Sequence, residues 1–224
     1  MEAIWKVVPG VVNFQIGVAV YFHDTLHGSS SVRGMNTASL ESNMLQQLME
    51  MREEGIYEIF LDLNKSFDAL DCVLCLNILA ANGVGSRSIR LLWRYWERFT
   101  IVARAGGYFG YPFMVHRGMT QEGQLYPTIS KVMVDTVLRN WVTMVAATEE
   151  TEDPSTEGFR RGIQGLAAYL YAEDSQLAST QAHHLNQALN VMEELFVRAG
   201  MHNNVDKTVS MVCRPCRSIW GHYA

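Results

Sequence analysis

Ile59-Phe60-Leu61-Asp62-Leu63-Asn64-Lys65-Ser66-Phe67-Asp68 is the stretch that decides the fold. An apolar run delivers one carboxylate, Asp62, and then a base, an aromatic and a second acid. Alternation from Tyr57 to Leu63 predicts a strand, with Phe60 and Asp62 on one face and Ile59, Leu61 and Leu63 on the other. A lone carboxylate in such a run is costly to bury unless a cation compensates it. Asp62 is therefore read as a metal ligand. The partner it needs lies downstream, at Tyr171-Ala172-Glu173-Asp174.

Around that strand the chain has the composition of a soluble globular protein, with 224 residues, 48% hydrophobic and 18% charged. That suits one large domain or two lobes with a sizeable core, and excludes compositional disorder. The net charge of −5 argues mildly against a nucleic-acid binder. The sum hides a local patch, however. Arg87, Arg90, Arg94, Arg98, Arg104 and Arg117 face a single acid, Glu97, over their stretch, while Glu149 to Glu157 holds five acids and no base.

The cysteines form two Cys-x-x-Cys pairs, Cys72/Cys75 and Cys213/Cys216, too far apart for a compact zinc module. A reducing compartment fits them better than a disulfide scaffold. No basic leader opens the chain, and the run Val7 to Phe22 is too short and interrupted to span a membrane. An intracellular, non-secreted protein without a membrane partner is expected.

In chain order, residues 1–26 are apolar and weakly patterned, so they carry no assignment. A helix is expected from Asn36 or Thr37 to about Glu54, with Leu40, Met44, Leu45, Leu48 and Met51 on its apolar face. Asp71 caps a second helix, from Cys72 to about Asn82. Ser86 caps a third, to about Phe99, on which Arg87, Arg90, Arg94 and Arg98 share a face. That face reads either as solvated surface or as a phosphate-tracking stripe. Thr100 to Val115 reads as a hairpin about Gly106-Gly107. Pro127 opens a long helix through about Val145. Leu166–Tyr171 and Gln176–Ser179 flank a second hairpin, with Glu173 and Asp174 at its tip. A helix over 182–199 and a strand from Lys207 to Cys213 follow. The order predicts an α+β fold, with helices packed on one face of an antiparallel sheet.

Four motifs in order carry a resemblance. Phe60 to Asp68 is one. Arg117-Gly118-Met119-Thr120-Gln121, with Leu125, Pro127-Thr128, Asp135 and Arg139, is the second. Tyr171-Ala172-Glu173-Asp174 is the third, and Phe196, Gly200, Asn204 and Lys207-Thr208 make the fourth. Together they resemble the reverse transcriptase domain of non-LTR retrotransposons and, more distantly, group II intron enzymes. The resemblance covers nearly the whole chain.

It implies a right-hand polymerase core, with fingers mainly at 1–56 and 86–117 and palm mainly at 57–85 and 118–213. Neither a thumb nor an endonuclease is expected within these residues. It also implies an RNA-directed DNA polymerase that joins dNTPs to a primer 3′-hydroxyl on an RNA template. The cofactor is two Mg²⁺ ions, with Mn²⁺ as an alternative, because hard cations take carboxylate oxygens and this phosphoryl transfer uses a metal pair. Asp62, Glu173 and Asp174 are the implied ligands and catalytic carboxylates. Lys207 is implied at the pyrophosphate leaving group. Arg33, Lys65, Phe67 and Gln121 are implied at the nucleotide, with Phe67 under the sugar. The Arg87, Arg90, Arg94 and Arg98 face is a candidate for nucleic-acid backbone.

Several positions depart from the family pattern. Glu173 replaces an Asp, moving a carboxylate by roughly 1.5 Å. Ser30 stands where a basic residue is expected, and Glu122 where a Gly is. Tyr126 replaces a Ser, and Ser130-Lys131 replaces Phe-Asn. An impaired polymerase is therefore expected, the alternative being a catalytically dead domain that keeps its fold and binds nucleic acid.

Overall fold

The structure, a computed structural model, describes residues 2–23, 26–27, 35–64, 66–115, 117–118, 125–152, 166–171 and 174–213. Two compact units make it up, Met1–Phe22, Lys65–Thr136 and Ala199–Met201 in one, and His23–Asn64, Val137–Arg198 and His202–Ala224 in the other.

The second unit is built on a five-stranded sheet in the order β1-β7-β8-β2-β9. Its strands are β1 (Leu26–His27), β2 (Ile56–Asp62), β7 (Leu166–Tyr171), β8 (Asp174–Ser179) and β9 (Val209–Cys213). β2 lies between β8 and β9 and is antiparallel to both, and β7 is antiparallel to β8. The short β1 runs parallel to β7, so the expected all-antiparallel sheet is corrected at one edge.

The hairpin is also tighter than expected. Tyr171 pairs with Asp174, and the two residues between them lie outside the described residues. Asp174 is therefore the first residue of β8 and not a tip residue.

A second correction concerns the helices. α2 (Met35–Met51) covers the face that bears Ile56, Glu58, Phe60 and Asp62. Met49 packs with Ile56 and Ala178 there, and Gln46 bonds to Glu58. Ile59, Leu61 and Leu177, on the opposite face, are also buried, and α7 (Ala182–Arg198) packs against β8, β2 and β7. Both faces are thus covered, because apolar side chains on each need shelter.

α2 turns inward only part of its expected apolar face, Leu45 and Leu48, which pack against the Met49, Ile56 and Ala178 cluster. Leu40, Met44 and Met51 are exposed, while Ser42 and Met49 are buried and Gln46 is half-buried. The reason is Glu58, fully buried, which takes two hydrogen bonds from Gln46 Nε2, at 3.1 and 2.9 Å, and one from Gln176 Nε2, at 3.3 Å. A buried carboxylate must be solvated by protein dipoles, so Ser42 and Gln46 share the inner face with those two leucines.

In the first unit, α1 (Glu2–Ala19) forms where sequence gave no assignment, with Pro9 inside it. α3 (Ser66–Ala69) is a single turn. α4 (Cys72–Ala81) starts at the expected cap, where Asp71 Oδ1 accepts from Val73 N at 2.8 Å and Leu74 N at 3.0 Å. α5 (Ser86–Glu97) is capped by Gly85 and lacks a side-chain cap bond, so Ser86 is its first residue and not its cap.

β3 (Thr100–Ile101) pairs with β6 (Phe113–Met114), and β4 (Arg104–Ala105) with β5 (Tyr108–Phe109). Gly106 and Gly107 turn between β4 and β5 with φ of 57° and 86°, the paired positive angles that a tight hairpin turn demands. α6 (Tyr126–Glu152) runs past its expected end at Val145, and its residues through Thr136 belong to this unit.

Candidate active site

Asp62 closes β2 and Asp174 opens β8, and the two are directly opposed in the register. Opposed residues on antiparallel strands hold their Cβ atoms about 4.5–5.5 Å apart on the same face. Two carboxylates so placed can both reach one hard cation.

The turn after α7 then grips the end of β2. Asn204 N donates to the Asp62 carbonyl at 2.7 Å, and Asn64 N donates to the His202 carbonyl at 2.7 Å. The same turn is closed by Lys207 N and Thr208 N on the Asn204 carbonyl, at 3.1 and 2.9 Å. This backbone geometry delivers two side chains to Asp62. Asn204 Nδ2 donates to Oδ2 at 3.1 Å, and Lys207 Nζ stands 3.2 Å from Oδ2 and 3.5 Å from Oδ1.

Asp62 is only 18% exposed, whereas Lys207 is 66% exposed. A half-solvated pair of this kind contributes about 0–1 kcal/mol to stability. Its consequence is local, a cation held at the carboxylate that would otherwise be unscreened.

An open cleft of about 510 Å³ adjoins the pair, with Ser39, Asn43, Phe60, Asp174, Gln176 and Lys207 among its walls. That size is in the range of small-ligand sites, roughly 300–1,000 Å³. Glu58 lies under its floor. Burial pushes the Glu58 carboxyl above its ordinary value, and the Gln46 and Gln176 amides pull it partly back. Sequence reading missed this network. The signal was present, since Glu58 is four residues before Asp62 and hence on the same strand face. Asn204 was legible as part of the fourth motif, though its bond to Asp62 was not.

Of the other expected site residues, Arg33, Lys65, Gln121 and Glu173 lie outside the described residues. Phe67 lies in α3, and its side chain lies outside them too. Arg87, Arg90, Arg94 and Arg98 are all exposed, along α5 and its C-cap in the first unit. The structure therefore assembles Asp62, Asp174 and Lys207, and presents the Arg face separately. Among the described residues no group of three or more His, Cys, Asp or Glu is gathered to hold a metal. The donor set they offer is the Asp62–Asp174 pair, two carboxylates of the oxygen type that hard cations such as Mg²⁺ take. No described helix is long and apolar enough to cross a membrane.

No protein-family model and no curated protein matches the chain. Solved structures do. The chain is similar to apo telomerase from Candida tropicalis truncated from its C-terminal domain, with 13% identity over 96% of this chain and 41% of that one, at a TM-score of 0.66. It is also similar to telomerase from Candida albicans in complex with a fragment of telomeric RNA, with 12% identity over 93% of this chain and 34% of that one, at a TM-score of 0.63. The chain thus spans about a third to two-fifths of the length of these telomerases. At such identity the likeness concerns architecture, and it gives this chain a reverse-transcriptase-like fold.

Proposed function

We propose that the chain is the fingers–palm core of a reverse transcriptase of the non-LTR retrotransposon type, an RNA-directed DNA polymerase. The observation that carries this reading is the opposed Asp62–Asp174 pair at the mouth of a cleft, with Asn204 and Lys207 on Asp62.

In this reading Asp62 and Asp174, together with Glu173, hold Mg²⁺. When bound, the ions supply Lewis acidity to the primer hydroxyl and to the triphosphate oxygens. The protein's own residues do the rest. Asn204 fixes the rotation of the Asp62 carboxylate. Lys207 screens Asp62, and its exposed ammonium would be the group to meet a leaving phosphate. Arg33, Lys65 and Gln121 contact the dNTP, and Phe67 limits the space under its sugar. Exposed guanidiniums at Arg87, Arg90, Arg94 and Arg98 meet the backbone of an RNA template or DNA primer, an interaction that weakens with salt.

A second reading is favoured by two observations. Lys207 already neutralises Asp62, and Glu173 carries one methylene more than the family pattern. A domain retaining only fold and nucleic-acid binding would be built the same way. Primer extension on an RNA template, in Mg²⁺ and then Mn²⁺, separates the two. Incorporation that Asp62→Ala abolishes is the expected result. Absence of incorporation by both the native chain and Glu173→Asp would overturn the polymerase in favour of the binding domain.

A further inference from the structure

The hairpin at residues 100–114 takes no part in the carboxylate site. Every residue in it is exposed. Tyr108, Phe109, Tyr111 and Phe113 are 83, 71, 95 and 53% exposed. Neither face is sheltered. Arg104 pairs with Phe109 on one side of the ribbon, and Ala105 with Tyr108 on the other. A two-stranded ribbon is at best marginally stable alone in water, and exposed apolar groups of this density mark an interaction surface.

Charge selects the occupant. Between Arg87 and Arg117 there are six Arg and one acid, in a chain whose net charge is −5. The Arg104 guanidinium stands 5.4 Å from the centre of the Phe109 ring, so a cation and a stacking surface are presented together. The Gly106-Gly107 tip has open space about both residues, which lets a backbone approach closely. Rings beside a cation suit an unpaired strand, whose bases stack on aromatics while a phosphate meets Arg104. An apolar protein surface would leave that guanidinium without a counter-charge.

We propose that the 100–114 hairpin is a stacking site for single-stranded RNA that wraps its Gly106-Gly107 tip, with a base on Phe109 and phosphate on Arg104 on one side, a base on Tyr108 on the other, and a further base on Tyr111. The choice of RNA over DNA rests on the polymerase reading above, whereas the stacking itself does not. The test is fluorescence anisotropy of the full chain with a labelled RNA strand of about 12 nucleotides. It is run in EDTA, so that its outcome is independent of metal chemistry.

Tyr108→Ala and Tyr111→Ala should each weaken binding by about five- to one-hundredfold. Tyr111→Phe should bind as the native chain does. The tyrosine variants should keep the slope of affinity against salt, while Arg104→Ala should flatten it by about 0.7. Unchanged affinity in a Tyr108→Ala/Tyr111→Ala double variant overturns the proposal. So does a dimer that Tyr111→Ala dissolves, which would make the hairpin a contact between two copies. Equal or tighter binding of a DNA strand of the same sequence overturns the assignment to RNA.

Discussion

Two glycines share one backbone angle and differ in what surrounds them. Gly83, after α4, and Gly118, at the start of the second motif, both have φ of 84°. A Cβ on Gly83 would meet nothing within 4 Å. A Cβ on Gly118 would fall 2.6 Å from Asp68 O, 2.8 Å from Asp68 Cα and 2.9 Å from Asp68 C. Those are backbone atoms, so no side-chain rotation relieves the clash. Gly118 is also held on both sides, its N–H donating to Leu70 O at 2.8 Å and its carbonyl accepting the Cys72 thiol at 3.8 Å.

Alanine at either position carries the left-handed cost, roughly 1–2 kcal/mol. At Gly118 an overpacking cost of about 1–3 kcal/mol is added. Gly83→Ala should therefore lose about 1–2 kcal/mol and Gly118→Ala about 2–5 kcal/mol. Both positions belong to one unit, so a single urea transition reports both. The difference between midpoints, at a common slope, isolates the steric part. Equal losses would show that Asp68 does not lie against Gly118, and that the first two motifs are not locked together there.

Three further predictions follow from the site and its supports. Asn204→Ala should lower stability by about 1 kcal/mol in urea unfolding, one hydrogen bond to a carboxylate, while reducing primer extension more than that loss of folded protein explains. Tyr95 and Tyr126 hydroxyls meet at 3.0 Å, so a Tyr95→Phe/Tyr126→Phe cycle should show a coupling of about 0.5–1.5 kcal/mol, and additive losses would deny the bond. Burial raises the Glu58 carboxyl, so the folded state binds its proton more tightly than the unfolded chain does. That contribution is complete below the ordinary value of 4.5 and is lost as pH rises through the raised value. Glu58→Gln should remove this part of the decline in urea midpoint from pH 4.5 upward, and an unaltered pH profile would mean that Glu58 is solvated.

Where hydrophobic period and burial agree, the sequence is legible. β2 and α7 come from local patterns that tertiary contacts reinforce, and the Asp71 cap and the Gly106-Gly107 turn from local chemistry alone. α1 was illegible because its two sides hardly differ. Val12 and Ile16 are buried, while Val11, Phe14 and Val18 are exposed, so no polar stripe marks the outer face. α2 was legible as a helix and its Leu45 and Leu48 face inward as expected, but Leu40, Met44 and Met51 are exposed because the inner face also serves Glu58 through Ser42 and Gln46. The Asp62–Asp174 register lay beyond local reading. It sets Tyr171 opposite Asp174, and no Gly or Asn stands between them in the sequence to announce so close a pairing.

The departures from the family pattern bear on both functional readings through their partners. Tyr126, in place of a Ser, is buried and its hydroxyl meets Tyr95 on α5. Lys131, in place of an Asn, is buried with its ammonium 4.4 Å from the centre of the Phe22 ring. Burial lowers its pKa while Asp135 raises it. A polar group carried into an interior by unconstrained drift would go unpaired, at a cost of about 1–3 kcal/mol each. These two are matched by an aromatic, an acid and a second tyrosine, so the changes are accommodated by the fold and do not erode it. Departure at 126 and 131 is thus no argument against a working enzyme. The opposed Asp62–Asp174 pair favours the polymerase, and the binding-domain reading rests on residue 173, where Glu is one methylene, roughly 1.5 Å, longer than the Asp of the family pattern and Mg²⁺ would demand ligands at about 2.0–2.1 Å.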